Sequence, residues 1–510
     1  MGETTELSAI RLAQAIGGRA VSPVDAVHAL FVRIEKVNPA VNALVTVCGE
    51  RALDRTAAER AVSDGAELGP LHDVPIGVKG LDPVAGVPTA CGSLVFAEDV
   101  PQEIIWCVER LEQAGAIVMG ETNAPEFGFK ATAGSGLSGP ASTPFDRAMN
   151  AGGSCGSAAA VASGTVPLAQ GFDAGGSSRV PAAFCGVFTL MPSFGRVPVP
   201  AKPNAVRRYD PMGCYAPLVR TVADAALGVE LMSGARPYDP YSLPAPEKLT
   251  DALHCDLTGL TVAYSPDPGG YPVEPEPEPE AEPEAEAVAQ AALPAPREAG
   301  ATVEEVGFRL PLPHADLTTM WRRKLPVAHA ESAAIARDNG IDLLGAYPGS
   351  VGQGYLDSVR VGESLGAVDL RPEDLDHTRV PYSFEGLFDR YDLVVSPVNV
   401  VAGIPDSAGR YSVGRDTVGP DTVEGQAVDP LVGWSLTSPF TLIGSPAASV
   451  PVGRAGNGVP GGLRLAARRR GDALVVRRRG DALVIRAAAP GARLPWAVAY
   501  QDPDLDATSA

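Results

Sequence analysis

The stretch from Met149 to Arg196 reads MNAGGSCGSAAAVASGTVPLAQGFDAGGSSRVPAAFCGVFTLMPSFGR. It constrains the chain more than any other, because it repeats Gly-Gly-Ser on either side of an Ala/Val/Leu-rich segment. The first turn holds Gly152, Gly153 and Ser154, and the run Ala158 to Ala162 after it predicts a helix. The second holds Gly175, Gly176 and Ser177. Paired glycines allow positive φ and close backbone approach, so consecutive N–H groups can converge on one oxygen. A serine hydroxyl ending such a turn lies beside those donors, the geometry that acyl transfer requires. Read singly, either turn is also what a tight turn beside a buried helix looks like.

A third element lies upstream. In GPLHDVPIGVKGLDPVAGVPTACGS, Lys79 ends the apolar run Val74, Pro75, Ile76, Gly77, Val78, which predicts a buried strand. A lysine at a strand end ordinarily keeps its ammonium in water. This chain, however, has only six lysines (Lys36, Lys79, Lys130, Lys202, Lys248, Lys324) and takes most of its positive charge from arginine. Desolvation disfavours an ammonium, and a neutral amine can serve as a general base. Lys79, Ser154 and Ser177 together suggest a hydroxyl nucleophile activated without histidine.

On these residues the chain resembles the amidase signature family of serine hydrolases. The segments GPLHDVPIGVK, GETNAPEFGF, AGGSCGSAAAVASG, GFDAGGSSRVPAAFCGV, FGRVP, RTVADAALG and PFTLIGSPAASVPVG follow the family's order and cover most of residues 5–490. The resemblance implies an α/β fold, one large domain with a mixed β-sheet core flanked by helices. It also implies roles: Lys79 as base, Ser154 as the bridging serine with a cis peptide bond, and Ser177 as nucleophile. Ala174, Gly175, Gly176 and Ser177 would supply oxyanion-hole N–H groups. The implied reaction cleaves a linear carboxamide to a carboxylic acid and ammonia or an amine through a serine acyl-enzyme, with no cofactor and no metal. The resemblance extends to the glutaminase component of glutamyl-tRNA amidotransferase, which supplies ammonia from glutamine to a partner complex. A relative that keeps the fold and only binds is the third reading.

The chain departs from the family pattern at several places. Where GGSSGGS is usual it reads GGSCGS, one residue shorter, with Cys155 at the second serine. Phe172 and Ala174 stand where small hydroxyl residues are common, and Ser178 where an aliphatic residue is usual. Gly80 replaces a frequent aspartate, and Thr189 and Met191 occupy positions that often hold glycine and lysine.

With 510 residues the chain has room for about three average domains, although single α/β domains reach this size. We expect one domain over residues 5–490 and a tail over 491–510. No apolar run approaches 18 residues, so no membrane association is expected. Met1-Gly2 opens like an N-myristoylation site, but Glu6 occupies the required Ser/Thr position. A net charge of −20 argues against nucleic acid as a direct partner. Seven cysteines without a Cys-x-x-Cys pair fit reduced thiols, and a cytoplasmic location follows. The expected partner is a small-molecule amide, and a homodimer is compatible with the sequence. The six histidines show no HExxH or other ligand spacing.

Along the chain, residues 6–48 read as helical, with Ser22-Pro23 as a start signal and Val24, Val27, Leu30, Phe31 and Ile34 on one face. Ile104, Ile105, Cys107, Val108 and Leu111 predict another helix, and AGAIVMGETN a buried strand. Proline alternating with glutamate around 266–286 predicts an extended solvated insertion, placed at 274–286. Helix-like composition then returns over 287–301, before a short strand at 302–306. Trp321 and the aromatics of RVPYSFEGLFDRYDLVVSPVNVVAG are candidates for pocket lining or for core. A tandem repeat at 468–485, RRRGDALVV then RRRGDALVI, predicts solvated turns, with one copy looping out or displacing the other.

Overall fold

Buried strands at the middle of a sheet need apolar side chains on both faces, and such runs recur from Pro75 to Ala467. In the computed structural model they form an 11-stranded mixed sheet. Its strands are β1 (Leu44–Val47), β2 (Pro75–Lys79), β3 (Ile117–Thr122), β4 (Leu168–Asp173), β5 (Phe188–Met191), β6 (Cys214–Val219), β7 (Thr261–Tyr264), β8 (Thr302–Glu305), β9 (Leu393–Pro397), β10 (Ala447–Arg454) and β11 (Pro460–Ala467). The structure describes residues 2–62, 68–153, 156–199, 212–246, 248–253, 257–268, 285–406, 412–413, 416–417, 419–423, 425–476, 478–479 and 482–483.

The spatial order is β1-β3-β2-β4-β6-β5-β10-β11-β9-β7-β8. β2 pairs in parallel with both β3 and β4, and β7 in parallel with β8 and β9. The β4–β6–β5–β10–β11–β9 run is antiparallel throughout. Interior strands β2, β3, β6 and β9 are buried at every residue, whereas edge strand β8, TVEE, is mostly exposed. Charge on an edge strand discourages pairing with another chain. The expected mixed α/β architecture is thus present.

Helices cover both faces. Helix α1 (Pro23–Val41) buries Val27, Leu30 and Ile34 in the cluster that also holds Ile76, Val78 and Leu168. The all-buried helix α2 (Ser157–Ala162) joins that cluster, while α3 (Arg179–Phe184) contributes Val180 and Phe184 to a second one with Trp321, Trp434 and Phe440. The long helix α4 (His314–Asp338) packs on α5 (Gln353–Ser364) around a third cluster of Ala333, Tyr355 and Val359. No helix among the described residues is long and apolar enough to cross a membrane.

Several expectations need correction. The helical reading of 6–48 fails at its end, where Asn42 adopts the left-handed conformation (φ 52°) and stops α1, and Leu44–Val47 pairs with β3 as an edge strand. Ser22 stands at the start of α1 but makes no side-chain cap bond; Pro23 is the element of that signal that acts. Of the insertion, 274–284 lie outside the described residues, and its last two residues, Ala285 and Glu286, already belong to the helix Ala285–Gln290. That helix buries Val288 and Ala289 in the main core cluster, in the 287–301 stretch expected to be helix-like.

The first arginine repeat is a solvated turn only over Arg468, Arg469 and Arg470, which are exposed. Asp472 is buried, accepts from the Ser193 N–H at 2.7 Å and from its hydroxyl at 2.8 Å, and pairs with Arg196 at 3.2 Å. Val475 and Val476 are buried as well. The described residues of the second copy pair with each other, Arg478 with Leu483 and Arg479 with Ala482. The first copy thus anchors in the core through Asp472, Val475 and Val476, and the expected tail at 491–510 lies outside the described residues.

Candidate functional site

Parallel pairing of β2 with β4, Ile76 with Leu168 and Gly77 with Ala169, brings both strands out at the same edge of the sheet. Ligand sites of open α/β sheets gather at such carboxyl ends. Lys79 is the last residue of β2 and Ser177 follows β4 by one turn. Lys79 is 1% exposed; its Nζ donates to the Phe172 carbonyl at 3.1 Å, and its backbone N–H to Gln170 Oε1 at 3.1 Å.

The turn after β4 is held from beneath by Asp173. Its carboxylate accepts from Ser178 Oγ at 2.6 Å, from the Ser178 N–H at 3.2 Å, and from Arg179 Nε and Nη2 at 2.9 Å each. Burial alone would raise this carboxyl, but the Arg179 charge and these donors outweigh it and hold Asp173 down at about 2. Arg179 also donates to the Thr437 carbonyl at 2.9 Å and to Thr441 Oγ1 at 2.7 Å, which ties the turn to the segment before β10. Arg179→Met strands a buried carboxylate, and a loss of about 3–5 kcal/mol is expected. Urea unfolding near neutral pH reads it, and a loss below about 1 kcal/mol contradicts this account. Because the pKa of Asp173 is depressed, its contribution is present above the ordinary aspartate range and disappears as pH falls through about 2.

Ser178 is therefore committed to the core, whereas Ser177 lines the cavity above the turn, together with Ser435 and Ser438. Gly176 sits at φ 144°, and a side chain there would collide with Thr437 Oγ1. Thr437 Oγ1 donates to the Gly175 carbonyl. In a trans peptide the N–H points opposite the C=O, so this bond aims the Gly176 N–H away from Thr437. Among the described residues, the N–H groups of Gly175, Gly176 and Ser177 have no acceptor.

About 650 Å³ of open space lies over this turn, lined by Ala174 to Ser177 and by Phe129, Trp321, Leu325 and Val432. A Cβ on Gly175 would stand 3.2 Å from the Trp321 ring, so that ring forms the wall nearest the turn. A second space of about 800 Å³ shares Phe129, Trp321, Leu325 and Val432, and carries the Arg322–Asp429 ion pair. Of the aromatic candidates, Trp321 reaches the site. None from the 379–403 stretch lines either space: Phe384 packs on Phe440, and Tyr382 faces solvent.

Ser154 and Cys155 lie outside the described residues. The turn that holds them is anchored on both sides, the Gly153 N–H to the Ala131 carbonyl and the Gly156 N–H to the Asn123 carbonyl, each at 2.7 Å. Gly152, at φ 83°, lies where a Cβ would be 3.0 Å from Pro181 Cα, so the first turn abuts the helix that follows Ser177. Ser157 is buried behind it, bonded to Thr122 and to the Gln170 carbonyl. The unusual residues farther along are absorbed by the core: Thr189 donates to the Pro217 carbonyl at 2.8 Å, and Met191 Sδ accepts from Thr441.

A family model described as Amidase matches residues 25–476. The chain belongs to the amidase family. It is 33% identical over 473 residues to an acylamidase of Rhodococcus erythropolis, covering 92% of this chain and 93% of that one. The crystal structure of a bacterial aryl acylamidase, described as an amidase signature enzyme, superposes with a TM-score of 0.85 at 28% identity and covers 98% and 97%. A component of the glutamyl-tRNA(Gln) amidotransferase of Moorella thermoacetica is 31% identical, covering 91% and 93%. As an amidase this protein is a hydrolase of carbon–nitrogen bonds in linear amides.

Motif reading passed over several polar residues that surround Lys79 and the 175–177 turn. Thr437 and Ser435, hydrogen-bonded to each other, stand just before the PFTLIGSPAASVPVG segment. Asp82 and Gln170 lie beneath Lys79, with Gln170 Nε2 donating to Asp82 Oδ2 at 2.9 Å. A polar residue inside the apolar strand LAQGFD was the available signal for Gln170.

Proposed function

We propose that Ser177 is the nucleophile, Lys79 the general base acting through Ser154, and the amides of Ala174 to Ser177 the oxyanion hole. The observation that carries this reading is the placement of Ser177: it lines the cavity on a turn whose N–H groups have no acceptor among the described residues, while Lys79 ends the neighbouring parallel strand. Neutral Lys79 takes a proton through Ser154 from Ser177, whose oxygen attacks the amide carbon. The tetrahedral oxyanion gathers the turn's N–H groups, each worth on the order of 3 kcal/mol at the transition state. Amines leave poorly unless protonated, so Ser154 returns the proton to the amide nitrogen. Water, deprotonated by the same relay, then releases the acyl-enzyme.

For substrate we propose an amide with an apolar group that packs between Phe129, Trp321, Leu325 and Val432. The names of the acylamidase relatives favour an N-acyl amide over glutamine. A panel of N-acyl anilides, primary carboxamides and glutamine, assayed for released amine or ammonia, tests it. An apolar anilide is expected to exceed glutamine at least tenfold in kcat/KM, about 1.4 kcal/mol of discrimination. Preference for glutamine, with turnover only beside co-purified partner proteins, would move the reading to the amidotransferase glutaminase. We place the enzyme in the cytoplasm, supported by the free thiols Cys48, Cys91, Cys107, Cys185 and Cys214, and allow for a homodimer.

A further inference from the structure

Asp82 lies three residues beyond Lys79, 7% exposed, in a polar cluster that spans three strands. Its Oδ2 accepts from Gln170 Nε2 at 2.9 Å, and its Oδ1 accepts from the Tyr215 hydroxyl at 3.3 Å. Gln170, fully buried on β4, turns its other end to the Lys79 backbone, where Oε1 accepts the N–H at 3.1 Å. A primary amide has one acceptor end and one donor end. With the acceptor end committed to Lys79, the donor end requires an acceptor, and Asp82 supplies it. The orientation of Gln170, and with it the end of β2 from which the lysine side chain projects, therefore rests on Asp82.

The cluster is electrostatic as well as geometric. Lys79 and Asp82 act on one another as charges of opposite sign, and burial is low-dielectric for both. Other titratable groups coupled to Asp82 come from every neighbouring element: Glu121 on β3, Cys91 in the loop after β2, Cys107 on helix Trp106–Gln113, and Tyr215 on β6. Burial raises the Asp82 carboxyl above the ordinary aspartate range, and Gln170, Lys79 and Tyr215, each favouring the anion, offset part of that rise. Glu121 is pushed up to about 8, by burial first and by Asp82 in addition, with a Thr89 bond opposing; it is thus largely uncharged at neutral pH. Of the two neighbouring carboxyls, Asp82 is the one with donors on both oxygens and a cation at hand.

We propose that Asp82 is a positioning residue for Lys79: through Gln170 it fixes the strand end that carries the amine, and its negative charge raises the pH at which that amine becomes a base. The proposal rests on the reading of Lys79 as base. A carboxylate beside an ammonium stabilises the protonated form, so removing the carboxylate must let the proton leave at lower pH. Asp82→Asn is the informative change, because its side-chain oxygen still accepts from Gln170 while the charge is gone.

The test measures inactivation of the full-length chain by a fluorophosphonate as a function of pH, which needs no knowledge of the substrate. In Asp82→Asn the midpoint of the rising limb is expected to fall by about one pH unit, with the plateau rate within about threefold of the parent. Tyr215→Phe removes a donor that favours the Asp82 anion, so a smaller fall is expected there, and it serves if the asparagine variant does not fold. A midpoint that stays or rises in the folded variants overturns the proposal, because a purely structural role would not move it downward. Lys79→Ala separates the two layers. If it keeps the parental rate and profile, the base assignment has failed; if it loses both while the Asp82 and Tyr215 variants keep the parental midpoint, only the role of Asp82 has failed.

Discussion

Ser177→Ala lowers kcat by a factor on the order of 10⁴ to 10⁶, as removal of a serine nucleophile does in other acyl-transfer enzymes, and leaves the melting temperature close to that of the parent. The stability half of this expectation follows from where the hydroxyl sits. Ser177 lines the cavity and makes no hydrogen bond among the described residues, so its loss strands no buried partner. Its neighbour Ser178 behaves in the opposite way. That hydroxyl is buried and donates to Asp173 at 2.6 Å, so Ser178→Ala should cost stability while retaining most of the turnover. A fluorophosphonate should therefore modify Ser177 alone. Peptide mapping that finds the adduct on Ser178 or Cys155 would overturn the assignment, as would an alanine variant at 177 with parental kcat.

Which serine is presented was only partly legible in the sequence. The Gly-Gly-Ser spacing and the family order singled out Ser177, but nothing local distinguishes two adjacent hydroxyls. The distinction comes from Asp173 and Arg179, whose carboxylate and guanidinium take Ser178 into the core. Elements with local causes were readable: β2, β3 and α2 each follow from an apolar run or an alanine run. The strand Leu44–Val47 is hidden by a helix pattern because its four residues carry only two alternations, too few to outweigh the apolar helix face from Val24 to Ile34 before it. The left-handed Asn42 that ends α1 was the signal available there. Asp472 shows the reverse error. Its Arg-Gly-Asp surroundings look solvated, yet the three groups that donate to it, the Ser193 N–H and hydroxyl and the Arg196 guanidinium, come from nearly three hundred residues upstream. The site's support was invisible for the same reason, since Thr437 reaches Gly175, and Asp82 reaches Gln170, across distances in sequence that no motif spans.

Lys79→Ala is expected to remove most of the rate and, with it, the rise of activity with pH. An ammonium has no lone pair with which to accept a proton, so turnover by the parent should climb as Lys79 loses its proton and level off above that point. The loss should fall on kcat rather than KM, because the amine lies buried beneath the turn at 1% exposure, outside the residues that line the cavity. Lys79→Arg should do no better: guanidinium remains protonated throughout the accessible pH range and cannot accept the proton. Ser154→Ala belongs in the same experiment, since the proposed relay passes through that hydroxyl and the sequence there is one residue shorter than the family pattern. Both ends of that turn are anchored, at Gly153 and Gly156, and Gly152 abuts the helix after Ser177. Profiles of kcat against pH for the parent, Lys79→Ala and Ser154→Ala decide the matter. Loss of the rising limb in the first variant and a kcat deficit of at least a hundredfold in both is the expected outcome, whereas parental rates and profiles in both variants would mean that Ser177 is activated by some other group.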